Sequence, residues 1–454
     1  MTLRSIDPTT GQEIARYEED DAATVRAAIE VSAATWEDWR EVSFDGRAGV
    51  LRRAANLLKA EARSHAELMA REMGKPIAQG MAEAEKCAWV CRYYADHAER
   101  FLSPERIASD AADSYVRFDP IGPVLAVMPW NFPFWQVFRF AAPTLMAGNV
   151  GLLKHASNVT GSALAIENLL LRAGLPEGAF RTLVIGSGGV ADVIDHPAVR
   201  AVTLTGSEAA GAAVAARAGL RLKKAVLELG GSDPFIVLDD VDVAAVAREA
   251  ARARTINAGQ SCIAAKRFIV LDPIADAFEK AFASELDALT IGNPLDEKTE
   301  VGPLARPDLV EDLERQVERT LEAGARLVTG GHRVGSTGSF YEPTLLSDVR
   351  PEMAAACEET FGPVAVLIRA GSDEHAVKLA NGSDFGLGAS VWSGDSARAE
   401  RLVPAIEAGC VFVNGIVKSD PRLPFGGVKR SGYGRELADF GIREFVNIKA
   451  VVVE

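Results

Sequence analysis

Short apolar runs alternate with helical patterns through the middle of the chain, and this alternation restricts the possible folds more than any other sequence feature. The apolar runs lie at 124–129, 151–154, 182–185, 201–205 and 225–229, and segments with apolar residues at three- and four-residue spacing separate them. Strands that alternate with helices form a parallel sheet with helices on both faces. The sequence therefore predicts an α/β fold with an open, Rossmann-like sheet, which binds ligands beyond the carboxyl ends of its strands.

A second alternating set begins after Gly231 and predicts a second open sheet, because 454 residues are too many for a single core. Residues 1 to about 100 are predicted to be mostly helical, and two short alternating stretches to be exposed or edge strands. The predicted strands of the second set are 235–238, 267–271, 326–328, 364–368, 389–392 and 410–413; the predicted N-terminal helices are 21–39, 45–73 and 81–101; the exposed strands are 114–118 and 445–453.

The composition excludes several classes of function. A net charge of −14 argues against a nucleic acid or an anionic membrane as partner, since either requires a basic surface. No apolar run approaches about 18 residues, and the N-terminus lacks a charged segment followed by an apolar one. Five cysteines are too few, and odd in number, for a disulfide framework. We expect a cytoplasmic protein without a metal site, in which Cys87 and Cys91 belong to the core.

Cys262 and Glu228 are the strongest candidates for chemistry. Cys262 ends the Gly-containing link 257–262, which joins a predicted helix to a predicted strand and leaves room for the thiol to face a cavity. The alternative is a buried cysteine that acts as a small hydrophobe. Glu228 lies in an apolar strand, where a carboxylate is costly to bury unless it has a partner or a function. Together they suggest a nucleophile and a base.

Two further candidates lie near the end of the first predicted strand. Asn131 stands in the turn Pro129-Trp130-Asn131-Phe132-Pro133, where two prolines could fix the amide N–H toward a developing oxyanion. The same pattern can also serve turn formation alone. Arg139 lies on an otherwise apolar helix, so it is either paired in the core or available to an anionic ligand.

Two strand-to-helix junctions could bind a phosphate or a ribose. Lys154 and Ser157 follow the second strand, and a helix N-terminus attracts anions, although Ser157 could equally be a helix cap beside a solvated lysine. Gly206, Ser207 and Gly211 join another strand to its helix without the Gly-x-Gly-x-x-Gly spacing of common dinucleotide sites. Ser207 could likewise be only a cap.

Taken together, these stretches resemble the motifs of the aldehyde dehydrogenase superfamily, in order and over essentially the whole chain. Segments 130–139 and 153–158 are most similar to the branch that oxidises succinate semialdehyde, in its shorter bacterial form. The matching motifs are 129–133, 154–157, 206–211, 227–231, 259–262, 359–363 and 424–427.

The resemblance implies NAD(P)-dependent oxidation of an aldehyde to a carboxylic acid, with succinate semialdehyde as the expected substrate. Cys262 would attack the aldehyde, Asn131 and the Cys262 amide would hold the oxyanion, and the nicotinamide would receive the hydride. Glu228 would then activate the water that hydrolyses the thioester, since this step needs a base distinct from the nucleophile. The alternatives are another short or ω-carboxylated aldehyde such as glutarate semialdehyde, a cofactor-independent thiol hydrolase, and a non-catalytic protein that keeps the fold.

The same resemblance implies a set of binding residues. Glu359 would hold the nicotinamide ribose. Arg139 would bind the substrate carboxylate with the Ser419 hydroxyl as its partner, and Trp135 would also contact the substrate. Ile256 stands six residues before the cysteine, where some relatives carry a second arginine. The implied cofactor contacts are Trp130, Lys154, Ser157, Gly206, Ser207, Gly211, Glu359 and Phe361.

Cofactor preference depends on Ser157, which stands where NAD-using relatives place a carboxylate against the ribose 2′-hydroxyl. A neutral serine beside Lys154 leaves room for a 2′-phosphate and attracts it. We therefore expect NADP to be preferred, with NAD still accepted.

The resemblance also implies a division into three parts and an assembly. Residues 1–101 and 121–228 would bind the cofactor, 229–430 would form the catalytic domain, and 102–120 with 431–454 would form an oligomerisation arm of a homodimer or homotetramer.

Overall fold

The N-terminal part contains a hairpin and four helices in the computed structural model, which describes residues 2–454. The mostly helical segment predicted for residues 1 to about 100 is confirmed by four helices between Ala22 and Phe101. The hairpin was not predicted, because its strands are polar and half exposed and carry no apolar pattern. One helix predicted over 45–73 is two helices that meet at Glu61. The elements are β1 Thr2–Ile6, β2 Glu13–Glu18, α1 Ala22–Trp39, α2 Phe44–Ala60, α3 Ala62–Met73 and α4 Ile77–Phe101.

The next segment follows the predicted alternation of strands and helices. Cys87 and Cys91 of the preceding α4 are fully buried in the core beneath it. The elements are β3 Glu105–Arg106, β4 Asp113–Pro120, β5 Pro123–Met128, α5 Trp135–Met146, β6 Val150–His155, α6 Thr160–Arg172, β7 Phe180–Thr182, α7 Val190–Asp195, β8 Ala201–Thr205, α8 Glu208–Leu220 and β9 Lys224–Glu228.

The C-terminal half alternates in the same way, with four strands that the sequence did not predict: Thr344–Ser347 and the two-residue strands Phe385–Gly386, Val428–Lys429 and Gly432–Tyr433. The helix after 396 ends at Leu402, because Pro404 cannot continue it. The elements are β10 Pro234–Val237, α9 Val243–Thr255, β11 Arg267–Leu271, α10 Ala275–Asp287, α11 Pro307–Glu322, β12 Arg326–Thr329, β13 Thr344–Ser347, α12 Ala354–Cys357, β14 Val364–Ala370, α13 Asp373–Asn381, β15 Phe385–Gly386, β16 Gly388–Trp392, α14 Ser396–Leu402, β17 Cys410–Val413, β18 Val428–Lys429, β19 Gly432–Tyr433, α15 Ala438–Arg443 and β20 Val446–Val453.

Two parallel sheets form the centre of the molecule and confirm the predicted fold class. The first has the order β19-β9-β8-β5-β6-β7, in which only the short β19 is antiparallel to its neighbour. The second has the order β12-β13-β14-β11-β10-β16-β17, with β12 antiparallel at its edge. Their strands read as continuous apolar runs because helices cover both faces of a parallel sheet.

A smaller sheet joins the C-terminus to the segment before the first parallel sheet. β20 pairs antiparallel with β4 along its length, from Val446 opposite Pro120 to Val453 opposite Asp113, and β3 follows on the other side of β4. Within residues 2–454, no helix is long and apolar enough to cross a membrane.

The fold brings the candidate residues to one edge of the first sheet. The carboxyl ends of β5, β6, β8 and β9 lie side by side, so the residues after Met128, His155, Thr205 and Glu228 share that edge. The link that follows α9 in the second half reaches the same place: the amide Nδ2 of Asn131 donates to the carbonyl of Gln260 over 3.1 Å.

Candidate active site

Cys262 lies between two cavities. The small cavity, of about 220 Å³, has mostly apolar walls that include Phe132, Trp135, Val417 and Phe425. The large cavity, of about 380 Å³, is bounded by Pro129, Trp130, Asn131, Thr205, Gly206, Ser207, Leu229, Gly230, Arg306, Leu309, Glu359 and Phe361, with Cys262 again in its wall. The predicted nucleophile is therefore accessible from two sides, as a reaction between two bound molecules requires.

The link before Cys262 has an unusual backbone. Asn257, Ala258 and Gly259 all have left-handed φ angles, of 53°, 53° and 77°. A Cβ atom on Gly259 would lie 2.3 Å from the backbone of Gly362, so only glycine fits there. The Asn257 amide donates to the carbonyls of Asn131, over 2.7 Å, and Gln260, over 3.1 Å. These contacts hold together the two loops that carry the candidate nucleophile and the candidate oxyanion donor.

A buried lysine, Lys266, hydrogen-bonds to the end of the link that leads into β11. Lys266 is fully buried and donates to the carbonyl oxygens of Ser261, Cys262 and Ala264 over 2.9–3.2 Å. Its ammonium also lies 3.6 Å from the carboxylate of Glu359. Sequence reasoning missed the role of this residue, although a lysine immediately before the predicted strand 267–271 is a signal of a buried charge with a function.

The Cys262 thiol is held in its neutral form. Burial raises its pKa to about 12, and the positive charge of Arg139 opposes this shift only in part. Since the thiolate is the nucleophile, attack requires that a proton leave or that positive charge approach the sulfur.

Asn131 has the placement that an oxyanion donor needs. Its side chain is buried in the wall of the large cavity together with Cys262. One N–H of its amide donates to Gln260, so the second N–H is still available. The predicted oxyanion role is supported by this geometry and stays a prediction.

Glu228 is buried at the end of β9 and does not line either cavity. Neither of its carboxylate oxygens has a hydrogen-bond partner within residues 2–454. Oε1 lies 2.8 Å from the position that a Cβ atom on Gly426 would occupy, so the side chain points toward that glycine. Burial, followed by the nearby Glu436 carboxylate, raises the pKa of Glu228. A raised pKa suits a general base, but the side chain must turn to reach a group on Cys262.

Arg139 is paired in the core and also lines the small cavity. Its guanidinium forms an ion pair with Glu436, donates to the Thr205 hydroxyl over 3.3 Å and lies over the Phe425 ring. The pairing in the core is thus observed, and the binding of an anionic ligand by Arg139 stays a prediction. Sequence reasoning missed Glu436, whose carboxylate pairs with Arg139 and contributes to the raised pKa of Glu228.

The other two predicted substrate residues, Trp135 and Ser419, both contact Lys86, a lysine that the sequence analysis missed. Trp135 and Ser419 both line the small cavity. Lys86 of α4 donates to the Ser419 hydroxyl over 2.8 Å, and its Nζ lies 4.2 Å from the centroid of the Trp135 ring. The available signal was its place between buried Glu83 and buried Cys87 on one helix.

Four of the predicted cofactor residues line the large cavity beside Trp130. Phe361 packs edge-on against Trp130 at 5.7 Å between ring centroids, and the Glu359 carboxylate accepts a hydrogen bond of 2.9 Å from the Gly231 amide. Gly206 exposes its backbone, since a Cβ atom there would touch only Leu204. The four are Gly206, Ser207, Glu359 and Phe361.

Three predicted cofactor residues lie outside the large cavity. Lys154 ends β6 at the same sheet edge, and the Ser157 hydroxyl makes no hydrogen bond to any residue from 2 to 454. The capping alternative for Ser157 is not realised, because α6 begins three residues later, at Thr160. Ser207, by contrast, does cap α8. Packing explains the glycine at position 211, because a Cβ atom there would lie 2.5 Å from the Leu229 side chain.

Comparison with known proteins agrees with this geometry. The model of the aldehyde dehydrogenase family matches residues 1–451. The chain is 50% identical to a probable succinate-semialdehyde dehydrogenase [NADP(+)] of Synechocystis sp., over 99% of both chains. It is 49% identical to a succinate-semialdehyde dehydrogenase [NADP(+)] of Mycolicibacterium paratuberculosis, over 99% of this chain and 96% of the relative.

A solved structure shows the same likeness in three dimensions. The succinic semialdehyde dehydrogenase of Streptococcus pyogenes, crystallised with NADP+ as the cofactor, superposes with a TM-score of 0.97 at 36% identity, over 99% of each chain. The family match covers nearly the full length of the chain, and the two parallel sheets and the cysteine between two cavities are consistent with it. The chain therefore belongs to the aldehyde dehydrogenase family.

Proposed function

We propose that this protein oxidises succinate semialdehyde to succinate with NADP. The observation that carries the proposal is the position of Cys262 between a small cavity with cationic residues and a large cavity lined by the predicted cofactor contacts. The names of the relatives from Synechocystis sp. and Mycolicibacterium paratuberculosis support it.

The small cavity favours a short, carboxylated aldehyde. Its volume of about 220 Å³ is below the roughly 300–1,000 Å³ of typical ligand sites, so the substrate is small. Lys86 and Arg139 supply positive charge within apolar walls, where a carboxylate is attracted more strongly than in water. Ile256 gives the cavity an apolar wall where some relatives have an arginine. Glutarate semialdehyde is therefore a second candidate substrate, and it is tested alongside succinate semialdehyde.

The chain's own residues divide the chemistry between two steps. The Cys262 thiol first loses its proton to solvent, and its sulfur then bonds to the aldehyde carbon as the C=O π bond opens. The second N–H of Asn131 with the Cys262 backbone N–H stabilises the resulting oxyanion, and loss of hydride from that carbon leaves a thioester. Glu228 then turns from Gly426 toward the thioester and takes a proton from the attacking water. NADP, when bound, supplies the acceptor for the hydride.

The residues at the sheet edge fit NADP. The large cavity beside Cys262 offers the Glu359 carboxylate for a ribose hydroxyl, and Trp130 with Phe361 offers apolar walls for a flat ring. Lys154 has no carboxylate partner among residues 2–454, and the Ser157 hydroxyl near it has no hydrogen bond there. Cation and hydroxyl are therefore available to a 2′-phosphate.

We also propose the division of labour and the assembly. Residues 1–101 and 121–228 bind the cofactor, 229–430 carry the catalytic link, and 102–120 with 431–454 form an arm that joins copies into a dimer or tetramer. The charge of −14 and the five cysteines support a cytoplasmic protein.

Formation of reduced cofactor, measured by absorbance, tests the proposal. The purified protein is mixed with succinate semialdehyde, glutarate semialdehyde or butanal, each with NADP and with NAD. We expect the highest kcat/KM with succinate semialdehyde and NADP. Cys262→Ala is expected to abolish turnover while NADP binding remains, and Cys410→Ala is the matched control. Equal kcat/KM for all three aldehydes would contradict the substrate, and thioester hydrolysis without aldehyde oxidation would instead indicate a thiol hydrolase.

A further inference from the structure

The small cavity contains a half-buried cation, Lys86, that lies within ion-pair distance of no carboxylate among residues 2–454. Arg139 is paired with Glu436, whereas Lys86 forms no ion pair with any residue from 2 to 454. Lys418 also lines the cavity, but its side chain is exposed and water screens its charge. Among the three cations, Lys86 therefore has the most charge available for a bound anion.

Neutral groups hold Lys86 in place. Its ammonium donates to the Ser419 hydroxyl over 2.8 Å and lies 4.2 Å from the centroid of the Trp135 ring. Ser419 and Trp135 are themselves buried in the cavity wall. A hydroxyl and an aromatic face orient an ammonium without cancelling its charge. The arrangement is preorganised for a negatively charged group that enters the cavity.

We propose that Lys86, with Ser419, binds the ω-carboxylate of the substrate and so sets the preference for carboxylated aldehydes. This inference rests on the proposed function and names the group that recognises the substrate. Lys86 supplies a charge-assisted hydrogen bond, which is roughly twice as strong as a neutral one. Ser419 accepts from Lys86 and still has its own proton to donate to the same carboxylate.

The position of Cys262 in the same cavity explains what this contact achieves. A carboxylate bound at Lys86 fixes one end of a short chain, and the aldehyde at the other end lies in the cavity that the sulfur faces. Orientation of this kind raises the rate of attack because the reacting atoms meet without a further loss of freedom. Ile256, directly before the catalytic link, contributes no charge. Recognition of the carboxylate therefore comes from Lys86 of α4 with Ser419, and not from the catalytic link.

The pKa of Lys86 gives the contact a pH dependence. Burial, with a smaller contribution from Arg139, lowers this pKa to about 8, while Cys87, Glu83 and Asp420 act in the opposite direction. The ammonium is present below pH 8 and is lost as the pH rises through that value. KM for a carboxylated aldehyde is therefore expected to rise between about pH 7 and 9 relative to KM for butanal.

Steady-state kinetics with NADP test the proposal in four variants, Lys86→Met, Lys86→Arg, Lys418→Met and Lys280→Met, the last being an exposed lysine of α10. Lys86→Met is expected to lower kcat/KM for succinate semialdehyde about ten- to hundred-fold relative to kcat/KM for butanal. Lys86→Arg should keep most of the selectivity, and the control Lys280→Met should keep all of it. Lys418→Met, which removes a screened charge from the same cavity, should change the selectivity much less than Lys86→Met does. The relative rise of KM with pH should disappear in Lys86→Met.

The failure of this inference is distinguishable from failure of the proposed function. If the unmodified protein does not prefer succinate semialdehyde to butanal, the proposed function fails and this inference falls with it. If the preference exists and Lys86→Met retains it, or Lys418→Met loses it equally, only the role of Lys86 is overturned. Lys86→Gln keeps a donor for Ser419 and replaces Lys86→Met if thermal unfolding shows that the latter is not folded.

Discussion

Glu228 shows how one residue combines a chemical requirement with a structural cost. The carboxylate is fully buried without a hydrogen-bond partner in the described part of the chain, an arrangement that is unfavourable for the ionised form. Burial and the Glu436 carboxylate both raise its pKa. The group is therefore a stronger base than an exposed glutamate, but it is in the basic form only at a higher pH.

We predict that Glu228→Gln produces a burst of reduced cofactor followed by slow turnover. A neutral amide leaves attack by Cys262 intact but cannot take the proton of the hydrolytic water. Because the pKa of Glu228 is raised, the steady-state rate of the unmodified protein should fall with decreasing pH well above pH 4.3, the ordinary pKa of glutamate. Rapid mixing and a pH profile measure both effects.

The control for that experiment is Glu322→Gln, at the exposed end of α11, which removes the same charge far from the site. It should show neither the burst nor a changed pH profile. If Glu228→Gln turns over at the normal rate, Glu228 has a structural role and another group activates the water.

Ser157 is the residue that we propose sets the cofactor preference, through the absence of a negative charge. We predict that Ser157→Glu reverses the preference from NADP to NAD, since a carboxylate repels a 2′-phosphate and accepts a hydrogen bond from a 2′-hydroxyl. The ratio of kcat/KM values for the two cofactors should change by about ten-fold or more. Ser103→Glu, an exposed serine after α4, adds the same charge elsewhere and should leave the ratio unchanged. A wild-type preference for NAD would show that a different residue contacts the ribose.

At the scale of the element, the link between α9 and β11 is the most constrained segment of the site. Three successive left-handed residues turn the chain, and Lys266 and Asn257 satisfy its carbonyl groups from inside. Left-handed geometry costs about 1–3 kcal/mol for a residue other than glycine, so it persists only where the surroundings enforce it. The link is therefore held rigid, which aims Cys262 between the two cavities.

We predict that Gly259→Ala lowers both stability and kcat. The new methyl group meets the Gly362 backbone at 2.3 Å and must also adopt a φ of 77°. The conformational part alone costs roughly 1–3 kcal/mol, and the displaced link moves Cys262 away from Asn131. Thermal unfolding and kcat measure the two effects. Gly188→Ala is the matched control, because a Cβ atom there meets nothing within 4 Å. An unchanged Gly259→Ala variant, or an equal loss in Gly188→Ala, would contradict the special constraint on the link.

The elements differ in how well the sequence predicts them, and burial explains the difference. Strands such as β8 and β10 are covered on both faces, so every residue is buried, most are apolar and the run is obvious. The β1–β2 hairpin is half exposed and gives no such signal. β13 is buried but has only Leu345 and Leu346 as apolar residues, and its chain neighbours on both sides are irregular loops.

The site follows the same division. Motif residues that precede or follow a strand, such as Asn131 and Cys262, can be found from their neighbours in the sequence. The roles of Lys86, Lys266 and Glu436 could not be found in this way. They come from contacts with residues 333, 4 and 297 positions away, respectively, or from burial that only the folded chain provides. Lys266 lies close in sequence, but its three acceptors are visible only once the link has turned.

At the scale of the whole molecule, the three-stranded sheet has an open edge and an apolar face. β20 lies at the end of the order β20-β4-β3, so its outer backbone groups have no partner strand within residues 2–454. Ile448 and Val452 point to the same side of β20 and are 60% and 59% exposed. Open edges and exposed apolar faces are the features that a second copy covers in a symmetric assembly.

We therefore predict that the arm joins copies of this chain and that Ile448→Asp weakens the assembly. A carboxylate on the apolar face must lose its water when a second copy packs there, and the one cation of β20, Lys449, is already paired with Asp119. Sedimentation velocity should show a shift from the dimer or tetramer toward the monomer, with thermal unfolding of the monomer little changed because Ile448 is exposed there. Leu164→Asp, a 38% exposed leucine of α6 remote from the arm, should leave the sedimentation coefficient unaltered. A monomeric unmodified protein, or an Ile448→Asp variant that assembles normally, would contradict the role of the arm.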